Sequence, residues 1–383
     1  MTFTLINEQV AILQAKSKIY TYLSGTLTRC TLKLAAGEFT FALRGGYGLI
    51  QTSVPSDYVG ENKYLSVDVV KWLTALQKFN AVDKINFTLT DSALKLQAKG
   101  VGTISLGVTP LAADSQEALV LDTYISNERD KYVNANRLNL TSDVIDALNL
   151  ADAFFNTQLS NKVNSIGLGK QYVIYTDRSV VLRINVQDIV SPEFLQTSTE
   201  EYIYIPTSII KIFNLLYKFR EETFFNSDYK RVYWADDNTS LILALDIKKI
   251  AIPTDEEFAA IKPKDLEKGF EASTSGLKEG LGLFNGFYDS SEWKPITIEM
   301  VESKEVSFSC KQPSAEIVKV LENTTPNISG VFQISSEALR KFVSRVEEDK
   351  IESIFFNYEE EAPGVYITAE NKYEIILPIL EDE

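Results

Sequence analysis

Tyr202–Arg220, YIYIPTSIIKIFNLLYKFR, is the stretch from which the rest of the chain can be read. Tyr202, Tyr204 and the residue between them favour an extended strand, and Pro206 fixes φ at the start of a helix. Ile209, Phe213, Leu216 and Tyr217 recur at i, i+4, i+7 and i+8, which predicts one apolar face seeking a core. Lys211, Lys218 and Arg220 bring only positive charge, with no acidic residue before Glu221. A purely basic helix in a chain of formal charge −15 needs a reason. The same layout returns at Tyr64–Asn80 and at Val331–Val346.

Working outward, two sets of landmarks repeat. The helix starts Ser66, Pro206 and Ser335, and the opening strands at Phe3, Tyr132 and Phe270, both recur at roughly one third of the chain. First helices are expected over Asn7–Tyr22, with Asn7 as its cap, over Leu140–Asn156 and over Ser273–Phe287. Thr31–Leu43 alternates as a strand, broken by Gly45-Gly46 before Tyr47–Val54. Hairpin turns fall at Thr90-Asp91-Ser92 and Asp236-Asp237-Asn238, and Pro110–Asp130 suits a linker carrying one strand. No regular crossover helices of a parallel sheet are present. The expectation is an α+β chain: three tandem copies of a two-helix, antiparallel-sheet domain, spanning residues 1–129, 130–268 and 269–383. The competing explanation is that α+β domains resemble one another by chance.

Composition removes several kinds of chemistry. The chain has no histidine, so the commonest general base and every Ser-His-Asp or Cys-His pair are absent. Two cysteines, Cys30 and Cys310, make neither a disulfide framework nor a zinc site, and no cofactor or metal is expected. Gly167-Leu168-Gly169-Lys170 lacks the flanking residues of a phosphate loop. Asp236-Asp237-Asn238 and Glu359-Glu360-Glu361 read as turns and solvated loops rather than metal ligands. No run reaches the roughly 18 apolar residues of a membrane span. Met1-Thr2-Phe3-Thr4 begins no signal peptide, so the expected location is a cytoplasm.

A strongly acidic chain argues against nucleic acid, but the sign that matters is the one on the contacting face. Ser66–Asn80 nets +1, Pro206–Arg220 nets +3 and Ser335–Val346 nets +2, while the whole is −15. Aligning the helix starts superposes Lys71, Lys211 and Arg340, and Lys78 with Lys218. Lys71, Lys78, Lys211, Lys218, Arg220, Arg340, Lys341 and Arg345 are therefore the candidate phosphate-facing residues. Solvated lysines on amphipathic helices are the bland alternative. Two features weigh against the basic face. The helix Leu140–Asn156 nets −3, and Glu347-Glu348-Asp349 cancels the third helix's surplus if that helix runs on.

Three αβ repeats with basic second helices in an acidic whole resemble the bacterial-type DNA sliding clamp, the beta-clamp family of polymerase processivity rings. Met1-Thr2-Phe3-Thr4-Leu5 resembles the family's first strand, and Tyr373-Glu374-Ile375-Ile376-Leu377-Pro378-Ile379 its final one. Tyr175-Thr176-Asp177 sits where the family has a Thr-Asp-Gly-His-Arg-Leu turn, but Arg178-Ser179-Val180 replaces its continuation. Ile252-Pro253 resembles the family's proline near the end of the second repeat.

The resemblance implies three domains in a crescent, two crescents closing head to tail into a homodimeric ring around double-stranded DNA, and no enzymatic activity. It implies a DNA polymerase and a clamp loader as partners, docking through a short apolar peptide. Carried over by position, the peptide groove would involve Thr176, Val180, Pro253, Ile375, Leu377, Pro378 and Ile379. Proline inside an apolar strand marks an edge or bulge. The missing histidines and divergent turn suggest a bacteriophage source, hence a host cytoplasm. Two other functions fit the sequence: a ring-forming structural protein of a virion or tail, and an enzyme using Asp/Glu chemistry.

Overall fold

The computed structural model describes the chain except residues 26–27, 80–81, 120, 122–135, 155–164, 178–179, 188, 190–201, 220–222, 228–230, 246–251, 285–294, 313–314 and 381–383. The elements come in three passes of one order: strand, helix (two consecutive helices in the first pass), four strands, helix, three strands. The first pass is β1 (Thr2–Ile6), α1 (Asn7–Ala15), α2 (Ser17–Ser24), β2 (Arg29–Ala35), β3 (Glu38–Gly45), β4 (Gly48–Pro55), β5 (Lys63–Asp68), α3 (Val69–Lys78), β6 (Lys84–Leu89), β7 (Ala93–Ala98) and β8 (Gly102–Leu111), followed by the short α4 (Gln116–Leu119). The second is β9 (Asn136–Leu140), α5 (Ser142–Phe154), β10 (Ser165–Leu168), β11 (Tyr172–Thr176), β12 (Val181–Asn185), β13 (Ile203–Tyr204), α6 (Thr207–Phe219), β14 (Thr223–Ser227), β15 (Arg231–Ala235) and β16 (Thr239–Ala244), then α7 (Asp255–Ile261). The third is β17 (Gly269–Ser273), α8 (Thr274–Leu283), β18 (Pro295–Val301), β19 (Glu305–Gln312), β20 (Ala315–Val320), β21 (Gly330–Ser335), α9 (Ser336–Glu348), β22 (Ser353–Asn357), β23 (Gly364–Ala369) and β24 (Tyr373–Pro378).

These elements fold into two compact units. One takes in Met1–Thr141 and Thr207–Asp246 and the other takes in Ser142–Val190, Ile247–Glu383 and β13, so the second pass is divided between them. The first unit holds a 12-stranded antiparallel sheet in the order β1-β6-β7-β8-β5-β2-β3-β4-β16-β15-β14-β9. The second holds an eight-stranded sheet, β13-β10-β11-β12-β24-β23-β22-β17, and a four-stranded one, β20-β19-β18-β21. Within them two strand orders recur three times. One is β1-β6-β7-β8, β9-β14-β15-β16 and β17-β22-β23-β24; the other is β5-β2-β3-β4, β13-β10-β11-β12 and β21-β18-β19-β20. An antiparallel α+β fold is what the sequence led us to expect.

Local chemistry sets where these elements begin and end. Asp68 caps α3 by accepting the Lys71 amide at 2.9 Å, and Ser335 caps α9 by accepting from Ala338 at 3.3 Å. The single helix expected over Asn7–Tyr22 is instead two, broken at Lys16. There the ammonium is buried, 2.8 Å from Asp236 and over the Trp234 ring. The strand expected over Thr31–Leu43 is a hairpin, because Gly37 at φ +78° supplies the left-handed residue that a tight turn needs. Asp236 is a turn residue, its carboxylate accepting the amides of Asn238 and Thr239. Tyr132–Asn134, expected as the second opening strand, lies outside the described residues.

In the first unit the core is aromatic. Phe3 stacks on Phe87 at 4.6 Å, Tyr20 meets Phe41 at 4.4 Å, and Trp72 of α3 lies against Phe39, Phe41 and Phe87. In the second unit Phe270 stacks on Phe356, and Tyr373 meets Phe342 of α9 edge-on. A smaller apolar cluster of Ile174, Val181, Tyr202, Ile252, Phe258, Tyr366 and Ile376 forms with Phe258 of α7. Among the described residues no helix is long and apolar enough to cross a membrane.

Candidate nucleic-acid interface and partner groove

Two helices of the first unit present a basic face. On α3 the residues Val69, Trp72, Leu73, Ala75 and Leu76 are buried, leaving Lys71 and Lys78 exposed. On α6 Ile209, Ile210, Ile212, Phe213 and Leu216 are fully buried, leaving Lys211 and Lys218 exposed. Neither helix carries a carboxylate, and α2 packs against both. Among the described residues none of these four lysines is ion-paired. Arg220 lies outside the described residues.

Burial corrects the alignment of the three second helices. Trp72, Ala75, Leu76 and Phe79 match Ile209, Ile212, Phe213 and Leu216, and match Leu339, Phe342, Val343 and Val346. Lys211 is thus equivalent to Lys341, and Lys78 to Arg345; Lys71 has no basic counterpart. The cause is the cap. Ser66 belongs to β5, and Asp68 is the residue that corresponds to Ser335.

The second unit compensates its cations. Arg340 is exposed, but Lys341 pairs with Glu337 at 3.1 Å and lies over the Phe154 ring. Arg345 contacts Asp146 of α5 at 3.2 Å, Glu348 at 3.1 Å and Asp349 at 2.8 Å, and its Nε donates to the Tyr373 hydroxyl. Burial alone would push the Asp349 carboxyl up. Hydrogen bonds from Lys372 and Tyr373, with the Arg345 and Lys372 charges, outweigh it and hold the group below its ordinary range. Arg345 is therefore a structural node with its charge neutralised locally, a correction to its reading as a phosphate-facing residue. The helix does run through Glu347 and Glu348, which cancels its surplus of positive charge.

The seven groove residues lie together in the second unit but not on one face. Thr176 pairs with Val181, and Val181 with Ile376, so these three share a side of the sheet. Ile376 and Val181 pack with Ile252, which precedes Pro253. Pro253, Pro378 and Ile379 are half-buried and Val180 is 9% exposed. Ile375 and Leu377 alternate onto the Tyr373 side, fully buried toward α9. Strand periodicity thus replaces them with Ile376 on the side of Pro253 and Thr176. Asp177 still organises the divergent turn, accepting the Val180 amide at 2.7 Å and the Tyr175 hydroxyl at 3.2 Å.

One feature beside the groove was not anticipated. Arg183, 7% exposed, lies 3.6 Å from the Tyr172 ring centroid, 2.7 Å from Asp255 and 3.7 Å from Glu374. Glu374 also receives Lys262 at 2.8 Å and the Tyr366 hydroxyl at 2.7 Å. Burial, then the bond to Glu374, pushes the Tyr366 phenol well up. The network anchors α7, whose start is a capping box between Thr254 and Glu257. Thr254-Asp255-Glu256-Glu257 was the available sequence signal. Gly167 has a packing role, since a Cβ there would meet Ile252 at 2.2 Å.

No family profile matches the chain, and no curated protein matches it in sequence. Solved structures do. They include the DNA polymerase III subunit beta of Pseudomonas aeruginosa (TM-score 0.72, 11% identity) and the DNA polymerase sliding clamp of Bacillus subtilis (0.73, 10%), each match covering 100% of both chains. The Helicobacter pylori beta clamp bound to a DNA ligase peptide matches at 0.67 and 12%, again over 100% of both chains. The chain has the sliding-clamp fold along its whole length.

Proposed function

We propose that this chain is a DNA sliding clamp without enzymatic activity. Two copies close head to tail into a ring around double-stranded DNA, and a DNA polymerase and a clamp loader dock on it through a short apolar peptide. The observation that carries the reading is the pairing of a full-length clamp fold with two lysine helices free of carboxylates, in a chain of net charge −15. A ring holds DNA by topology, so a few electrostatic contacts to phosphates suffice and sliding stays unhindered. On this reading Lys71, Lys78, Lys211, Lys218, Arg340 and Lys341 face the duplex, those of the first unit dominating. Pro253, Pro378, Ile379 and Val180 form the groove, with Thr176 and Ile376 as its floor.

Three related domains, 1–129, 130–268 and 269–383, supply the logic of closure. At each internal junction the last strand of one order pairs with the last strand of the other: β4 with β16, and β12 with β24. Continuing the series leaves β20 and β8. β20 ends its sheet with Val318 57% and Val320 43% exposed, and Gly102–Gly107 of β8 pair only with β7 among the described residues. Exposed apolar edge strands are aggregation hazards unless another chain covers them. Sedimentation should give twice the mass of the chain, and Val318→Asp with Val320→Asp should give the single-chain mass with unchanged circular dichroism. A native protein that sediments as one chain at micromolar concentration, with or without the substitutions, would refute closure through this edge.

A further inference from the structure

On the first unit, the strands related to the groove strands border a cavity beside a smaller apolar cluster of Ala42, Tyr64, Ala118 and Leu121. The register makes β3 and β4 the counterparts of β11 and β12: Arg44 opposes Leu49 as Thr176 opposes Val181, and Leu49 meets Ile242 across the junction as Val181 meets Ile376. Ala42 then stands where the second unit has Ile174, and Ser66 where it has Tyr204. The smaller side chains leave a cavity of about 320 Å³ beside α4, walled by Cys30, Ala42, Leu49 and Leu121. That volume sits at the lower end of ligand sites.

Its charged lining is Arg29, Arg44 and Glu117, beside the neutral polar groups of Thr31, Ser66 and Gln116. Arg29 is held in place by neutral acceptors, donating to Ser66 Oγ at 2.7 Å, the Ser66 carbonyl at 2.8 Å and Thr109 Oγ1 at 3.0 Å. Arg44, on the neighbouring strand β3, is exposed and also lines the space, as does Glu117 of α4. Among the described residues neither arginine is paired with a carboxylate. Two guanidinium groups without acidic partners, in a chain of charge −15, over an apolar floor, complement a ligand that is apolar and anionic at once. Burial pushes the Cys30 thiol up, so it contributes as a small neutral wall.

We propose that this cavity is a second docking site, taking a peptide that presents one large apolar side chain beside a carboxylate. It lies in the other unit from the groove and needs neither DNA nor ring closure, so its failure would leave the clamp reading untouched. The probe is N-acetyl-leucyl-phenylalanine with a free carboxylate, titrated calorimetrically into the full chain, with its C-terminal amide as control. One saturable site is expected, weakened about tenfold by amidation and by Arg44→Gln, as loss of one charge-assisted pair implies. Ala42→Ile, which restores the bulk found at Ile174, should abolish binding. Arg44→Gln, at an exposed position, keeps the test valid if Ala42→Ile misfolds. Absence of saturable binding overturns the proposal. So does equal binding of the amide, or binding indifferent to Arg44→Gln, which would put the peptide elsewhere.

Discussion

Replacing Lys211 and Lys218 of α6 with alanine should lower the salt dependence of DNA association by a calculable amount. Both side chains are exposed, neither is ion-paired among the described residues, and the helix packs through its isoleucines, so its fold should survive. Each lysine that neutralises a phosphate contributes about 0.9 to the slope of log K against log salt, so the double variant should lose roughly 1.8 per chain. Between about 50 and 200 mM salt the native chain should then lose roughly twelvefold more affinity than the variant. Anisotropy of a labelled duplex, titrated at several salt concentrations, measures this directly. Arg345→Gln is the matched comparison, because Asp146, Glu348 and Asp349 already compensate that guanidinium. An unchanged slope in the lysine variant would refute the basic-face assignment, and so would an equal drop in the Arg345 variant.

Two stability predictions follow from packing and charge. Trp72→Ala empties the centre of the first unit's aromatic core and should cost about 3–5 kcal/mol in urea unfolding, a value below 1 kcal/mol contradicting the packing described. Asp349 has a folded-state pKa depressed below its ordinary 3.8, so its stabilisation is present above that pH and lost as pH falls further. Asp349→Asn should therefore lower the urea midpoint at pH 7 and approach the native protein only as pH falls below 3.8; a difference that stays constant as the pH is lowered would show that the carboxylate is not responsible.

Much of the fold was legible because the decisive signals are local. The run from Tyr202 to Lys218 carries its strand, its proline, its apolar stripe and its charge within two dozen residues, and α6 forms where those signals lie. The fate of Arg345 was not legible. Its partner Asp146 is 199 residues away, and only folding brings α5 against α9. The seven groove residues divide between two faces for a related reason: similarity of position along β24 does not say which side a residue takes, whereas pairing with Val181 does. Counting helix starts from Ser66 shifted the first basic helix by two residues, since the capping carboxylate was Asp68. The hairpin at Gly37 was hidden because the apolar alternation continues on both sides of the turn. The network around Arg183 gathers residues from β11, β12, β24 and α7, and no spacing in the sequence announces it.

A ring holds DNA by topology, and one measurement addresses that directly. The protein is loaded onto nicked circular DNA with its loading machinery, separated from unbound chain, and the DNA is then linearised. Retention on the circles with rapid loss from the cut ends is the predicted result. Equal retention on circular and linear DNA would mean that the chain holds the duplex by contact, and would contradict the account.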